Sequence, residues 1–508
     1  MGTGVAVAAT GDQALHAGLE VVDDGGNAVD AALTTALVSA ATEPGMVSIA
    51  GGAFIAIWPA DGDPIVVDAN VEMPGRGAPA ERFGRGLREI RTSYGGGVTL
   101  FAGHGSVALP GLVPGFAVAH DRYARLPWER LVRPAAEAAR AYPMSPSAAR
   151  YLSYTADSLF GDDPEAHALV TRPDGGLLEG GEPTSNSLLA ATLDRLADQG
   201  PELFTSGPVG MALARDMQAH GGLITHEDLL SYRPVVRPAH VSQVGAWRVA
   251  TSPPPSVGGT MLAIMLGELA RCGRPTWADM IEIQRAVLGY RVAVHDLSRD
   301  LEADGTSLLR RVAEHGLEAL RGSSSTVHVS AIDADGTACA VTMSSGYGAG
   351  MSIPGTGVLL NNCLGEVELN RLGLHATAPG TRLASNMAPT TGRGPGRSAL
   401  AIGSPGADRI TTALMQVLGE ICLGQVDPRT AIEAPRLHVR EVEGRWRVEY
   451  ERGSDLAAAV AASGLPGHEY PEPHMYFGGV GAAYLDEQGG LGAAGDSRRE
   501  AAVGTRAE

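Results

Sequence analysis

Thr326 opens a strand-like alternation directly after a small, polar run, Arg321-Gly322-Ser323-Ser324-Ser325. From Thr326 to Ile332 polar and apolar residues alternate. Asp333-Ala334-Asp335-Gly336 then supplies a hairpin turn, and Thr337 to Met343 reads as the return strand. Side chains alternate across a strand, which predicts Thr326, His328 and Ser330 on one face and Val327, Val329 and Ala331 on the other. A Thr placed here can become a new N-terminus. Attack of its hydroxyl on the Ser325–Thr326 carbonyl gives an ester by an N-to-O acyl shift, and hydrolysis of that ester frees the Thr326 amine. An α-amine has a reference pKa of ~7.7–8.0, low enough to act as base toward its own hydroxyl. One residue then supplies nucleophile and base. The same run also reads as an ordinary loop before a hairpin.

Composition narrows the other chemistries. All 39 basic residues are Arg. The absence of Lys excludes a lysine Schiff base, a pyridoxal-phosphate lysine and a Walker A lysine. A net charge of −18 argues against nucleic acid or an anionic membrane as partner. Cys272, Cys339, Cys363 and Cys422 are dispersed, without CxxC pairs, and are expected as buried free thiols. His226-Glu227-Asp228 lacks the second His of a zinc-protease helix. Alternating Glu441, Glu443, Glu449 and Glu451 offset Arg445-Trp446-Arg447, so this stretch reads as a solvated hairpin. No metal or cofactor is expected. The first residues carry no basic cluster, and no run of ~18 apolar residues occurs. A soluble, cytoplasmic chain is the expectation.

The elements that must position Thr326 follow from periodicity. At 508 residues the chain predicts two or three domains, with 44% apolar residues to fill their cores. Ala28, Ala31, Ala32, Leu33, Ala36 and Leu37 predict an amphipathic helix starting near Asn27 or Asp30. Residues 48–58 and 64–68 read as strands. Helical spacing recurs at 128–142, 187–199, 207–219, 260–271, 276–297 and 306–321. A Pro/Gly elbow spans 252–259.

Six segments in order along the chain carry a resemblance: Asp24–Ala32, Gly221–Leu229, Pro253–Gly259, Thr326–Asp333, Leu360-Asn361-Asn362 and Gly403–Gly406. Over nearly the whole chain the sequence resembles the γ-glutamyltranspeptidase family of N-terminal-nucleophile hydrolases. The resemblance implies an α/β, four-layer αββα sandwich and an inactive precursor. Cleavage between Ser325 and Thr326 would leave a large segment, 1–325, and a small segment, 326–508, associated as a heterodimer acting on a small-molecule substrate. It implies Thr326 as nucleophile, Ser344 as the supporting hydroxyl (Thr in the family), and Gly406 and Ala407 as the backbone donors of an oxyanion hole, each such donor typically worth ~2.7–4 kcal/mol. It also makes His328 a structural strand residue rather than a triad member.

The substrate positions depart from the family. Asn70 stands where the family Arg grips the α-carboxylate of a glutamyl substrate, a charge-assisted contact worth ~1.5–3 kcal/mol that Asn cannot reproduce. Gly346 replaces an Asn, Cys363 and Glu366 replace an acidic pair, and Ser385-Asn386 replaces paired serines. A hydrolase of an amide outside the γ-glutamyl class is therefore expected. Branches resembling oxamate amidohydrolases, cephalosporin acylases, or enzymes hydrolysing a carbon–carbon bond beside a keto acid in lincosamide and pyrrolobenzodiazepine pathways are the alternatives. Beside them stand a true γ-glutamyl hydrolase or transferase and an unprocessed protein that only binds a ligand. Arg76 and Arg82 are candidates to take over the carboxylate.

Overall fold

A computed structural model describes residues 4–92, 98–315, 327–406, 408–442, 444–499 and 501–507. The predicted nucleophile Thr326, its neighbour Ser325 and Ala407 lie outside the described residues. The main strands are β1 (Gly4–Thr10), β2 (Gly52–Trp58), β3 (Ile65–Ala69), β4 (Val235–Pro238), β5 (His240–Val244) and β6 (Trp247–Thr251), followed by β7 (Val327–Asp333), β8 (Ala338–Ser344), β9 (Thr390–Arg393), β10 (Ala399–Gly403), β11 (Gly481–Leu485), β12 (Leu491–Gly495) and β13 (Ala501–Ala507). They form two antiparallel sheets, ordered β13-β1-β7-β8-β2-β3-β4 and β12-β11-β10-β9-β6-β5. Both sheets take strands from either side of residue 325. The length-based expectation of two or three separate domains gives way to one interleaved unit, because neither half of the chain completes a sheet alone.

The inner faces meet across small side chains: Ala6, Ala56, Ala338 and Ala340 from one sheet pack on Ala250, Ala399, Ala401 and Ala483 from the other. Helices cover both outer faces. Against the first sheet lie α1 (Asp12–Glu20) and α2 (Ala28–Thr42), with α3 (Trp128–Arg140) packed on α2 and α4 (Ser187–Gln199) on α3. Against the second lie α5 (Val257–Cys272) and α8 (Arg409–Cys422), with α6 (Trp277–Ala293) and α7 (Leu301–His315) packed on α5. This is the expected αββα sandwich. No helix among the described residues is long and apolar enough to cross a membrane.

Several expectations need correction. Helix α2 is not amphipathic: all 15 of its residues are buried, because the first sheet, α1 and α3 enclose it. The helix expected at 306–321 is described over Leu301–His315, and residues beyond it lie outside the described ones. The 276–297 periodicity ends as a helix at Ala293 and continues in a 3₁₀ turn, His295–Leu297. Cys272 is exposed, at the last residue of α5, while the other three thiols are buried. The Leu437–Glu451 hairpin is not wholly solvated. Glu449 and Glu451 are buried, held by Arg447 and His468 and by Arg498 respectively.

Asn27 is the N-cap of α2. Its Oδ1 accepts from the Val29 and Asp30 N–H groups at 2.8 and 3.1 Å, while Asp30 accepts from the Asn27 N–H at 2.8 Å. The Asn27 amide also donates to the Tyr123 carbonyl at 2.7 Å, and Asp30 takes the Arg125 and Leu126 N–H groups. The cap thus staples the 123–126 turn to the helix. Asn27→Ala is expected to lower stability by about 1–2 kcal/mol, read as a lower denaturant midpoint at unchanged slope.

His328 shows how the sheets are pinned. It pairs with Thr342 in register, its Nδ1 lies 2.9 Å from Thr342 Oγ1, and its Nε2 lies 2.6 Å from Ser330 Oγ. Ser330 in turn donates to the Gly481 carbonyl of the opposite sheet at 3.1 Å. A Cβ on Gly403 would come within 2.2 Å of the His328 ring, so glycine is required there. Burial pushes the His328 pKa down to about 3. As pH falls from about 6.5, the unfolded chain takes up this proton before the folded one does, so stability declines between about 6.5 and about 3. His328→Gln is expected to give a shallower acid decline, measured by denaturant midpoints from pH 7 to 4.

Candidate active site

The site is built where β7 begins and β8 ends. Val327 pairs with Met343, and Ser344, the last residue of β8, pairs with Gly52 of β2. The double glycine before and at the start of β2 lets these elements touch. A Cβ on Gly51 would lie 2.3 Å from the Ser344 carbonyl, and one on Gly52 would lie 2.7 Å from the Val71 nitrogen and 3.0 Å from Asn70 Oδ1. Asn70 and the end of β8 therefore flank the same glycine strand end. Ser344 Oγ accepts from the Gly346 N–H at 3.1 Å. Gly346 has φ +62, and a Cβ there would meet Asn362 Oδ1 at 2.2 Å and Glu366 Oε1 at 2.9 Å.

Behind this turn lies an acidic wall. Glu366 is 2% exposed; burial, reinforced by the Glu368 charge, raises its pKa well above the carboxylate range. Its carboxyl shares a hydrogen bond with the Cys363 thiol, which burial also pushes up. Glu368 is likewise raised, by burial first and by Asp408 second, and lies 3.5 Å from the Tyr347 hydroxyl. A protonated Glu366 can donate a hydrogen bond but offers no anion to a substrate ammonium. Asn361 and Asn362 shape this wall. Asn361 donates to the Ala50 and Ala108 carbonyls and accepts from the Ala108 and Cys363 N–H groups. Asn362 accepts from the Tyr347 N–H at 2.6 Å.

The predicted oxyanion turn follows β10. Gly406 is buried with φ +127, and a Cβ on it would lie 2.8 Å from Gly478 Cα. Ser404 fixes that approach: its Oγ accepts from the Gly479 N–H at 3.1 Å and donates to the Pro405 carbonyl at 2.7 Å. Asp408, the N-cap of α8, pairs with Arg409 and His438. Burial alone would raise its pKa, but Arg409 and His438 outweigh it and hold the carboxyl well below its ordinary value. Sequence reasoning missed Glu368, Asp408 and Arg409, whose roles depend on burial and on partners remote in sequence.

Ser385 and Asn386 meet the elbow. The Ser385 carbonyl accepts from the Gly258 N–H at 2.9 Å, Ser256 Oγ donates to the Met387 carbonyl, and Cβ atoms on Gly258 and Gly259 would lie 1.9 and 2.0 Å from the carbonyl oxygens of Asn386 and Ser252. The glycines of the elbow are thus required by the close seating of α5 against this segment. Asn386 is fully buried, and among the described residues neither atom of its side-chain amide finds a partner.

Asn70 Nδ2 donates one hydrogen to the Leu383 carbonyl at 2.8 Å, and the Asn70 backbone carbonyl accepts from the Tyr232 hydroxyl. The two alternative arginines are also committed. Arg76 pairs with Glu72 and Asp228, and Arg82 donates to the Gln218 and Gly222 carbonyls. Asp228 of the His226–Asp228 segment accepts from the N–H of Thr225, the N-cap of its helix, and from the Gly75 and Arg76 N–H groups, a structural task. Among the described residues, His104, Asp216 and His220 bring ligand atoms within 4.8 Å of one another, with Asp216 accepting from both imidazoles.

The model of the family described as gamma-glutamyltranspeptidase matches residues 14–505. A glutathione hydrolase proenzyme of Escherichia coli is 29% identical over 90% of this chain and 85% of its own length. An acylase ACY 1 proenzyme of a Pseudomonas species is 30% identical over 94% of this chain and 88% of its own. The crystal structure of a cephalosporin acylase from Bacillus halodurans superposes with a TM-score of 0.78 at 24% identity, covering 99% of this chain and 96% of that one, which supports the fold. With the strand ends, the glycine approaches and the acidic wall in place, the chain belongs to the γ-glutamyltranspeptidase family of N-terminal-nucleophile hydrolases.

Proposed function

We propose that this hydrolase is made as a precursor that cuts itself at Ser325–Thr326, and that Thr326 then forms an acyl-enzyme with an amide outside the γ-glutamyl class. Segments 1–325 and 326–508 would stay together because both contribute strands to each sheet. The Thr326 amine takes the hydroxyl proton as Oγ attacks the substrate carbonyl. The N–H groups of Gly406 and Ala407 hold the oxyanion, the leaving group departs with the proton, and water releases the acid. Ser344 supports the nucleophile.

The observation that carries the substrate reading is Asn70. In place of a guanidinium it presents a neutral amide, one N–H of which is donated to the Leu383 carbonyl. The protonated state favoured for Glu366 points the same way, since a glutamyl α-ammonium needs an anion. The acylase ACY 1 proenzyme among the relatives is consistent with amides of other acids.

On a denaturing gel the purified protein is expected as two bands and Thr326→Ala as one full-length band; a single wild-type band unchanged by that substitution would overturn the self-cleaving hydrolase. Ser344→Ala is expected to lower kcat by about tenfold or more, in line with loss of one hydrogen bond to a charged or polarised group. Hydrolysis of γ-glutamyl-p-nitroanilide is expected to be at least about tenfold below that of the Escherichia coli relative in kcat/KM, the equivalent of a lost charge-assisted contact; equal rates would refute the assignment of Asn70.

A further inference from the structure

Two imidazoles and a carboxylate converge outside the candidate active site. Asp216 and His220 stand four residues apart where the helix Pro208–Ala219 ends, a spacing that puts both side chains on one face. His104 opens the 3₁₀ turn His104–Ser106, 112 residues earlier in the chain than Asp216. Asp216 Oδ2 lies 3.0 Å from His104 Nε2, and its Oδ1 lies 2.9 Å from His220 Nδ1. The two rings stack with centroids 4.8 Å apart and planes inclined by 29°. The side chains of His104 and Asp216 are 19% and 11% exposed and that of His220 58%, so the group is closed on one side and open to solvent on the other.

The backbone around the three is braced from both directions. Beyond His220, the Gly222 N–H donates to the Met217 carbonyl at 2.8 Å, and Arg82 donates to the Gln218 and Gly222 carbonyls. A Cβ on Gly222 would lie 2.5 Å from Met217 Sδ and 3.2 Å from His104 Cβ, so glycine at this position lets His104 approach the helix end. On the other side, the Gly103 N–H donates to the Ala349 carbonyl at 2.9 Å. The Gly105 carbonyl accepts from His375 Nε2 at 2.6 Å, and the Ser106 carbonyl accepts at 3.1 Å from the N–H of Leu364, between Cys363 and Glu366.

We infer that His104, Asp216 and His220 bind a divalent cation of the zinc class. Imidazole nitrogens with one carboxylate oxygen suit such an ion, with water in the remaining position. Bonds of about 2.0–2.2 Å to one ion set neighbouring ligand atoms about 2.9–3.5 Å apart, depending on the angle between them. The two nitrogen–oxygen separations already have this spacing, and the exposed His220 ring has room to close on the ion. The carbonyl end of a helix also favours a cation. An ionised Asp216 only accepts, so without metal each imidazole carries its proton on the nitrogen that faces it. On binding, that proton leaves, the far ring nitrogen is protonated instead, and the freed lone pair turns to the ion. The ion then ties the turn beneath Leu364 to the end of a distant helix. It takes no part in the acyl transfer proposed above.

The test uses untagged protein stripped with EDTA and titrated with Co²⁺, whose visible d–d absorption reports its ligands, then with Zn²⁺ as competitor. One Co²⁺ per chain is expected, bound stoichiometrically at micromolar protein, with the intense bands of a four- or five-coordinate site that Zn²⁺ abolishes. His104→Gln and His220→Gln are each expected to weaken binding at least about tenfold. His220→Gln is the deciding variant should His104→Gln not fold, because the His220 side chain is the exposed one. Zn²⁺ is also expected to raise the melting temperature of the wild type and not that of the variants. Failure to form a 1:1 Co²⁺ complex would overturn the site, as would Co²⁺ affinity unchanged in folded His220→Gln. A variant that melts lower while the wild type ignores Zn²⁺ would show a trio held by hydrogen bonds alone and would likewise overturn it.

Discussion

The two sheets approach each other across alanine and glycine, and the geometry of the site depends on that contact. Gly403 admits the His328 ring, Ser330 bridges to Gly481, and the alanines around them leave no bulk to hold the layers apart. Close packing of this kind is rigid, since interiors at crystal-like density yield little to displacement. The ends of β7, β8 and β10 are fixed by it, and these are the ends that carry the predicted nucleophile, its supporting hydroxyl and the oxyanion turn. A larger residue at position 403 would push on His328 and so on the strand beginning beside Thr326.

A second constraint is electrostatic. Glu366, Glu368 and Asp408 lie in one buried neighbourhood, and they are resolved differently. Asp408 has Arg409 and His438 as partners and stays ionised, whereas Glu366 has a thiol and another acid beside it and is favoured in its neutral form. Carboxyls pushed apart in this way take different roles in one site. Here the neutral one sits at the position that the resemblance assigns to the substrate ammonium. The altered positions are tied into the neighbouring backbone, Asn70 through the Leu383 carbonyl and Glu366 through the Asn370 N–H.

Much of this was legible from residue types. The hairpin from 327 to 344 has the predicted turn and facing, because strict alternation and an Asp-rich turn leave few other registers. The start of α2 at Asn27 was visible as a capping pattern. Its complete burial was not, since a run of alanines reads alike whether one face or all of it is covered. The hairpin carrying Glu449 and Glu451 misled for the converse reason: alternating charges suggest solvent, but Arg498, His468 and Arg447 approach from elsewhere and permit burial.

The sequence by itself determined the family and the αββα architecture, because ordered motifs and strand periodicity are local properties of the chain. Tertiary structure alone decided that Asn70 is engaged by Leu383, that Arg76 and Arg82 are committed elsewhere, and that His104 meets Asp216 and His220. Those outcomes depend on desolvation and on partners up to hundreds of residues away. Neither has a signature in spacing or composition.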